Sequence, residues 1–519
     1  MIIRKRITIL LFLILCLLSS TMAQINISPD SVLQSILNNI EGTGLTLSQA
    51  REYALKNATS VRIAEALYLA ALGSLRRERG FFDPEFYLNA NYRDMQQPAA
   101  SFFSGADVLS TQQTTLQTGL KLKLPIGTQL ELSLNTIKLN TNSAFAFLNP
   151  EYDAFGSLIL RQPLLRGFLA SGRKDLSRVE FEYEAAKARY DQEVFKLAST
   201  VDQMYWNLYT SERDFAVQKL TRDRAEAFLK ETELRNKAGL VGPNQTASSK
   251  TFLAEQELLL IDRMEQLDSQ SDKLAVLIGV RPQQNRFKAT DNPLMDFPIQ
   301  PVDEIIEYTL KNNLELQASQ KDLDAVKSIG DAADWEALPR FDIVGSIDSP
   351  GLGGNSHEVI FGTDTLRTLT NGSFGDALNQ VFKRRYPGWS IGFEFSLPIG
   401  LRPGLGERDR IKATGMSFEQ RYIELSRNLE QQVRTAHREL SNGNARLKAA
   451  TNAVDAAQEQ VRIGMIEFQN GRSTSFELVR LNEDYANAQR RYSEALVKTI
   501  NAVATLRQLT SGAYPVKRN

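Results

Sequence analysis

The feature that most constrains the fold is a stretch at residues 174–238 that contains neither glycine nor proline. Apolar residues recur in it every three or four positions, as Val179, Tyr183, Ala186 and Tyr190 illustrate. This is the spacing of one face of an α-helix. At 1.5 Å per residue such a helix would be roughly 95 Å long. Because no compact globular domain accommodates that length, the pattern predicts a coiled-coil-like assembly.

The chain also repeats itself. The tetrapeptide ALKN at residues 54–57 recurs as TLKN at residues 309–312, and proline follows a β-rich segment at both Pro163 and Pro398. A glycine turn follows the long helix in each half. Because several matches occur in the same order, we infer an internal duplication. Each half is predicted to contain a helix, a β-rich segment, a long helix, a glycine turn and a closing helix.

This repeat pattern divides the chain into six parts. They are a signal peptide (1–23), an N-terminal extension (24–44), a first repeat (45–280), a linker (281–300), a second repeat (301–512) and a C-terminal tail (513–519). The first repeat holds strands within 86–162, a long helix at 174–238 and a closing helix at 246–278. The second repeat holds strands within 341–397, a long helix at 407–468 and a closing helix at 474–508.

The N-terminus has the pattern of a secretory signal peptide. Three basic residues at 4–6 precede an apolar run at 7–18, and Ala23 ends a cleavage site. The apolar run is too short to span a membrane, although a buried N-terminal helix is the alternative. Cys16, the only cysteine, lies in this segment, so the exported chain is expected to have no disulfide. Leu15 precedes it where a lipoprotein signal requires a small residue, so no lipid anchor is expected.

Several segments alternate apolar and polar residues, as strands in a membrane barrel do. They are residues 86–93, 116–124, 129–139, 155–161, 341–347 and 389–397. A soluble β-sandwich is the alternative interpretation. After the signal peptide no stretch is apolar enough for a membrane helix, so membrane insertion would require a closed β-barrel. Four strands lie near the two prolines, and three copies would supply about twelve. The hairpin at 116–139 has no counterpart in the second half, and its place is left open.

Composition and residue types argue against several function classes. The 61 Lys and Arg residues equal the 61 Asp and Glu residues, so the basic surface of a nucleic-acid-binding protein is not expected. His357 and His437 are the only histidines, too few and too far apart for a metal site or catalytic triad, and both are expected at the solvated surface. We therefore expect neither an enzyme nor a cofactor.

Five segments resemble the TolC-like outer membrane efflux family, and the likeness covers nearly all of residues 45–512. In the order of the chain they are QPLLRG at 162–167, AGLV at 238–241, FSLPIG at 395–400, FQNGRS at 468–473 and YANAQRRY at 485–492. No single motif is diagnostic. The order of the motifs, the duplication and the segment lengths together are specific.

The resemblance implies an α+β membrane protein in the cell outer membrane. Several protomers, a homotrimer in this family, would form an outer-membrane β-barrel of twelve strands and a long periplasmic α-helical coiled-coil barrel. A periplasmic membrane-fusion adaptor and an inner-membrane transporter would be the partners, together with outer-membrane lipid. The implied function is a passive export duct in tripartite efflux or type I secretion. A structural coiled-coil protein that bridges the membranes, or a soluble periplasmic binding module, is the alternative.

The resemblance also implies functional residues. Gly239 and Leu240 in one turn, and Gly471 and Arg472 in the other, look like the periplasmic tips where an adaptor docks. Phe468 stands near the second tip, where the family has a tyrosine.

Glu477 and Arg480 match by position the carboxylates that narrow the family's pore. Arg480 departs from the pattern, and its i+3 spacing would let it pair with Glu477. Thr474 could cap the helix, with Glu477 completing a capping box. A solvated carboxylate at the helix start is the alternative role for Glu477.

Overall fold

A computed structural model of the chain describes residues 31–293 and 297–515. The predicted signal peptide at 1–23 therefore lies outside the described residues. The described residues form two compact units. The helical unit comprises residues 31–59, 195–306 and 432–515, and the sheet unit comprises residues 60–194 and 307–431. Among the described helices, none is both long and apolar enough to cross a membrane.

Helices make up most of the described chain. They are α1 (Ser31–Asn38), α2 (Leu47–Asn57), α3 (Thr59–Gly80), α4 (Lys174–Lys237), α5 (Pro243–Ile278), α6 (Val302–Asn312), α7 (Leu314–Glu336), α8 (Phe374–Phe382), α9 (Arg402–Ser441), α10 (Gly443–Gln469) and α11 (Ser475–Leu509). The strands are β1 (Thr43–Leu45), β2 (Glu85–Pro98), β3 (Val108–Lys123), β4 (Gln129–Thr141), β5 (Leu148–Pro163), β6 (Phe287–Ala289), β7 (Arg340–Ser356), β8 (Val359–Phe361), β9 (Asp364–Leu366) and β10 (Gly388–Ser396).

The long helices differ between the two halves. Helix α4 is one continuous helix of 64 residues, as its lack of glycine and proline predicts. The long helix predicted at 407–468 begins earlier, at Arg402, and is divided at Asn442 into α9 and α10. Gly443 follows this division, and a Cβ on it would lie 2.6 Å from Cγ2 of Thr499 in α11. The backbone there approaches α11 too closely for any larger residue.

The opening helix of each half is broken where the sequence predicts one helix. The break after α2 falls at Ala58 (φ −63°, ψ 125°), and the break after α6 falls at Asn313 (φ −66°, ψ 123°). At both residues ψ has an extended value, so the backbone departs from the helical conformation. The Asn313 side chain then accepts a hydrogen bond from the Leu316 amide and begins α7. The two breaks stand at equivalent positions of the two repeats.

The sheet unit contains one antiparallel sheet of six strands, ordered β10-β7-β5-β4-β3-β2. The hairpin β3–β4, whose place the sequence left open, joins β2 to β5 within this sheet. The predicted contribution of four strands per chain is therefore wrong, because the hairpin adds two. Alternation identifies strands, but it does not show which strands pair.

The two faces of the six-stranded sheet differ in chemistry. On one face an apolar row crosses all the strands, formed by the paired residues Phe86, Leu120, Leu132, Leu158, Ile347 and Trp389. The opposite face is polar: the Tyr87 hydroxyl donates to Glu131 at 2.9 Å, and the Ser157 hydroxyl donates to Asp348 at 2.7 Å. A sheet with lipid on one side and water on the other has this division.

Within the helical unit, α4 forms hydrogen bonds with the N-terminal strand β1 and with the linker. Strand β1 of the extension pairs in parallel with β6 of the linker. The Tyr205 hydroxyl of α4 donates to the Leu45 carbonyl at 3.0 Å, and the Glu212 carboxylate accepts the Ala289 amide at 2.7 Å. Glu212 is buried, and this burial raises the pKa of its carboxyl group to about 8.

This buried carboxyl predicts a pH dependence. A carboxyl pKa that is higher in the folded state favours the protonated form, so the stabilisation is complete below the unfolded pKa and is lost as the pH rises through about 8. We expect the melting temperature of the protein to fall between pH 5 and pH 8. Glu212→Gln keeps an acceptor for Ala289 and should flatten this fall, whereas the exposed Glu233→Gln should leave it unchanged. If the melting temperature of Glu212→Gln falls with pH as steeply as that of the unaltered protein, other groups cause the pH dependence.

Candidate functional site

The helical unit contains two turns of the same geometry, which we call the first tip (238–242) and the second tip (470–474). Gly239 and Gly471 have φ values of +70° and +71°. The Leu240 amide donates to the Arg235 carbonyl at 2.9 Å, and the Arg472 amide donates to the Glu467 carbonyl at 2.8 Å. Both tips are therefore Schellman ends, in which glycine takes the left-handed position.

Both tips present an open surface. A Cβ on either Gly239 or Gly471 would meet no atom of the chain within 4 Å. Leu240, next to the first glycine, is 74% exposed. The four residues that the sequence predicts as docking tips therefore lie at accessible turns.

Arg235, near the C-terminal end of α4, connects the first tip to the second. Its guanidinium donates to the carbonyls of Phe468 at 2.9 Å and Gln469 at 3.0 Å. It also lies 4.7 Å from the centre of the Phe468 ring and forms an ion pair with Glu231 at 3.0 Å. The cation thus satisfies the last carbonyls of α10, where a helix end favours positive charge.

Phe468 is buried in a cluster beneath the second tip. Its ring packs edge-on against Phe228 at 5.1 Å between centroids, and Leu478 completes the cluster. The ring needs no hydroxyl for this role, although the resembling family has a tyrosine here. Sequence reasoning did not identify Arg235. The available signal was a basic residue in the last turn of α4, four positions before Gly239.

The two predicted constriction residues form the expected pair. The Arg480 guanidinium donates to Glu477 at 2.9 Å, and both side chains are about half exposed. Thr474 caps α11 by accepting the Glu477 amide at 3.3 Å. The reciprocal bond of a capping box is not formed, because the Glu477 carboxylate faces Arg480 instead.

These residues line one polar groove of about 470 Å³ beside the second tip. Arg472 and Glu467 share the groove with Glu477 and Arg480. The structure therefore brings Arg472, predicted as a tip residue, to the predicted constriction pair. The groove holds carboxylates and guanidiniums together, so its charge is mixed and exposed to water.

A second group of charges lies on the polar face of the sheet. Arg161 of β5 donates to Asp342 of β7 at 2.9 Å and to Glu394 of β10 at 2.6 Å. Arg340 also donates to Asp342 at 2.8 Å. These contacts join three adjacent strands, which sequence reasoning could not place side by side.

Within the part of the chain that the structure describes, no three His, Cys, Asp or Glu residues are placed to hold a metal ion. His357 is exposed, as expected. The expectation for His437 is wrong, because this residue is partly buried and its Nε2 lies 2.8 Å from the Gln300 carbonyl oxygen. The contact with Gln300 of the linker joins residues far apart in the sequence, so the local pattern of arginines could not reveal it.

Comparisons with known proteins give a family match for part of the chain and the fold for nearly all of it. Residues 305–512 match the outer membrane efflux protein family. No curated protein matches the sequence. The chain has the fold of the outer-membrane channel OprN, with a TM-score of 0.65 and 15% identity over 93% of this chain and 92% of that chain.

Two further channels have the same fold. The CmeC outer membrane channel of Campylobacter jejuni gives a TM-score of 0.65 at 14% identity, over 90% of this chain and 85% of that one. The outer membrane protein VceC of Vibrio cholerae gives 0.63 at 15% identity, over 90% and 96%. The predicted α+β architecture is confirmed by the fold that the chain shares with these outer-membrane channels, and residues 305–512 match the outer membrane efflux protein family that the sequence resembles.

Proposed function

We propose that three copies of this chain form an export channel of the outer membrane. The observation that carries this proposal is the six-stranded sheet, which has one apolar and one polar face. Such a sheet is stable in lipid only when it closes, because the edge strands β2 and β10 leave backbone groups unpaired. The polar face then surrounds water, and the apolar face meets the acyl chains.

The number of strands per chain supports closure between identical copies. With six antiparallel strands, β2 and β10 run in opposite directions, so β10 of one copy can pair antiparallel with β2 of the next. Three copies of this six-stranded sheet give eighteen strands rather than the twelve expected from the sequence. Barrels of sixteen to eighteen strands leave an aqueous channel.

The helical unit supports association as well. Helix α5 exposes large apolar side chains, among them Leu258, Ile261 and Val276, and Val276 is 84% exposed. Helices with an exposed apolar stripe pack against other helices, and neighbouring copies of the chain supply them. The long periplasmic helices of the copies would then form a helical duct.

The two tips are proposed to dock a periplasmic adaptor, which connects the channel to an inner-membrane transporter in tripartite efflux or type I secretion. Their open glycine turns and the exposed Leu240 support this role. The channel itself is passive, and no catalytic step is assigned to it. A structural coiled-coil protein is the weaker candidate, because it has no need of a sheet with a continuous apolar face.

Glu477 is proposed to narrow the pore as a ring of three carboxylates. We expect Glu477→Gln to weaken cation preference and block by multivalent cations, because the ring becomes neutral. The helix cap should survive, since Thr474 accepts the backbone amide of residue 477. Arg480→Ala should strengthen cation preference by removing the paired cation. Unchanged selectivity in bilayer recordings of both variants would place the constriction elsewhere.

Assembly is tested by native mass spectrometry of protein purified from the outer-membrane fraction in mild detergent. A trimer of roughly 170 kDa is expected from about 56 kDa per chain without its signal peptide. A stable monomer with an intact sheet would contradict the proposal, because both edges would be open in lipid. A dimer would also contradict it, since twelve strands would then close the barrel.

A further inference from the structure

Helix α8 lies on the apolar face of the sheet. Ala377 and Val381 of α8 pack against Ala154 of β5, and Leu134 of β4 borders the cluster. The Ser349 hydroxyl of β7 donates to the Val381 carbonyl at 2.9 Å. A short amphipathic helix therefore covers part of the face that the proposed channel turns towards lipid.

The sheet is shaped to receive this helix. A Cβ on Gly156 would lie 2.7 Å from the Val381 side chain, and one on Gly351 would lie 2.1 Å from the Ala377 carbonyl oxygen. Gly353 would meet a carbonyl oxygen at 2.7 Å in the same way. Glycine inside a strand marks a close approach of another backbone, so the sequence fixes the position of α8.

Helix α8 ends in a Schellman turn that carries an arginine at the left-handed position. Arg384 has φ +49°, and the Arg385 amide donates a hydrogen bond to the Gln380 carbonyl at 3.0 Å. Glycine is the usual residue there, because a side chain disfavours this conformation.

A basic cluster surrounds this turn. Lys383, Arg384 and Arg385 are all exposed, and none forms an ion pair with a described residue. The Arg385 guanidinium lies 5.8 Å from the centre of the Tyr386 ring, and Trp389 is 76% exposed. Aromatic rings beside cations are typical of the boundary between lipid and water.

An apolar groove of about 360 Å³ opens beside the cluster. Residues of five strands line it, together with Phe382 at the end of α8: Phe86, Leu120, Leu132, Leu158 and Ile347. Arg384 and Asp348 are its charged lining residues, and Asp348 already accepts hydroxyl hydrogen bonds from Ser157 and Ser346 at 2.7 Å. The groove thus combines an apolar wall with the Arg384 guanidinium, whereas the Asp348 side chain forms its hydrogen bonds on the opposite, polar face of the sheet.

We propose that this groove binds a phosphate-bearing, acylated lipid of the outer leaflet, with an acyl chain along the groove and its phosphate at residues 383–385. This inference rests on the proposed function, because it requires the apolar face to meet lipid. The apolar side chains of β10 end at Trp389, near the start of the strand. The basic cluster precedes β10 in the chain, so it lies at the end of this strand away from α9. The cluster therefore stands at the outer boundary of the apolar band, where lipid phosphates lie.

The test measures retention of lipid A by the purified full-length protein in detergent, using native mass spectrometry and titration. The triple variant Lys383→Gln, Arg384→Gln, Arg385→Gln removes the charges from exposed positions. Each basic residue near an anionic lipid surface contributes about five-fold in affinity, so about a 100-fold loss is expected. The matched control replaces three exposed basic residues on helices of the same unit, Lys187, Lys327 and Arg427, with Gln and should bind lipid A as the unaltered protein does.

Two further measurements distinguish binding of a lipid from binding of a free phosphate anion. Phe382→Ser should weaken lipid A retention while leaving inorganic phosphate binding unchanged, because it removes apolar contact alone. Competition by inorganic phosphate as strong as that by lipid A would overturn the proposal in favour of a free-anion site. Equal lipid A retention in the triple variant and its control would also overturn it. Trimer mass and bilayer conductance of each variant are measured in parallel, so failure of the channel proposal is recognised separately.

Discussion

Valine in place of Gly239 or Gly471 is expected to abolish export while the trimer still assembles. Both glycines have φ near +70°, where a β-branched residue is strongly disfavoured, so the Schellman turn must change its path. Open space surrounds both positions, so folding of the rest of the chain should not suffer. Loss of a central docking contact costs about 2 kcal/mol, which is roughly a 30-fold loss of affinity for the adaptor.

The measurement is efflux of a fluorescent substrate from cells that depend on this channel. Gly406→Val is the matched control, since Gly406 also has open space around it but lies inside α9 with an ordinary φ. Export is expected to persist in this control. Full export in both tip variants would show that the tips are not the docking surface.

Replacement of Arg235 by alanine is expected to loosen the second tip and raise the conductance of the channel. The variant leaves two carbonyls at the end of α10 without their cationic donor and removes the contact with the Phe468 ring. A hydrogen bond to a charged group contributes about 1.5–3 kcal/mol, so local opening of the tip should become substantially easier. Hydrogen exchange of the amides near 465–475 should accelerate accordingly.

Lys237→Ala provides the control for Arg235. Lys237 is an exposed cation two positions further along the same helix end, so its loss changes the charge but not the contact with α10. Conductance and hydrogen exchange in this control should match those of the unaltered protein. Equal acceleration in both variants would mean that net charge, and not the Arg235 contact, holds the tip.

Much of the architecture follows from local sequence patterns. Helix α4 follows from the absence of glycine and proline, and alternation located a segment in every strand of the main sheet. The breaks at Ala58 and Asn313 carry no glycine or proline, so periodicity alone could not reveal them. The strand count was wrong because it came from matching the two halves, and the unmatched hairpin β3–β4 lies inside the sheet.

The site was only partly predictable for a related reason. The pair of Glu477 with Arg480 depends on local spacing along one helix, and the sequence shows it. The contact of Arg235 with Phe468 joins residues 233 positions apart, which no local pattern reveals. Helix α8 did have a local signal, the capping box of Ser373 and Asp376, which sequence reasoning passed over.

Single-channel recording in a planar lipid bilayer tests the central claim, that this chain forms an export channel, most directly. Purified trimer added to one side is expected to produce discrete, reproducible conductance steps, because the polar face of a closed barrel surrounds water. Heat-denatured protein from the same preparation should produce none. Trimer that inserts into the bilayer without conducting ions, even in the Arg235→Ala form with its loosened tip, would contradict the account.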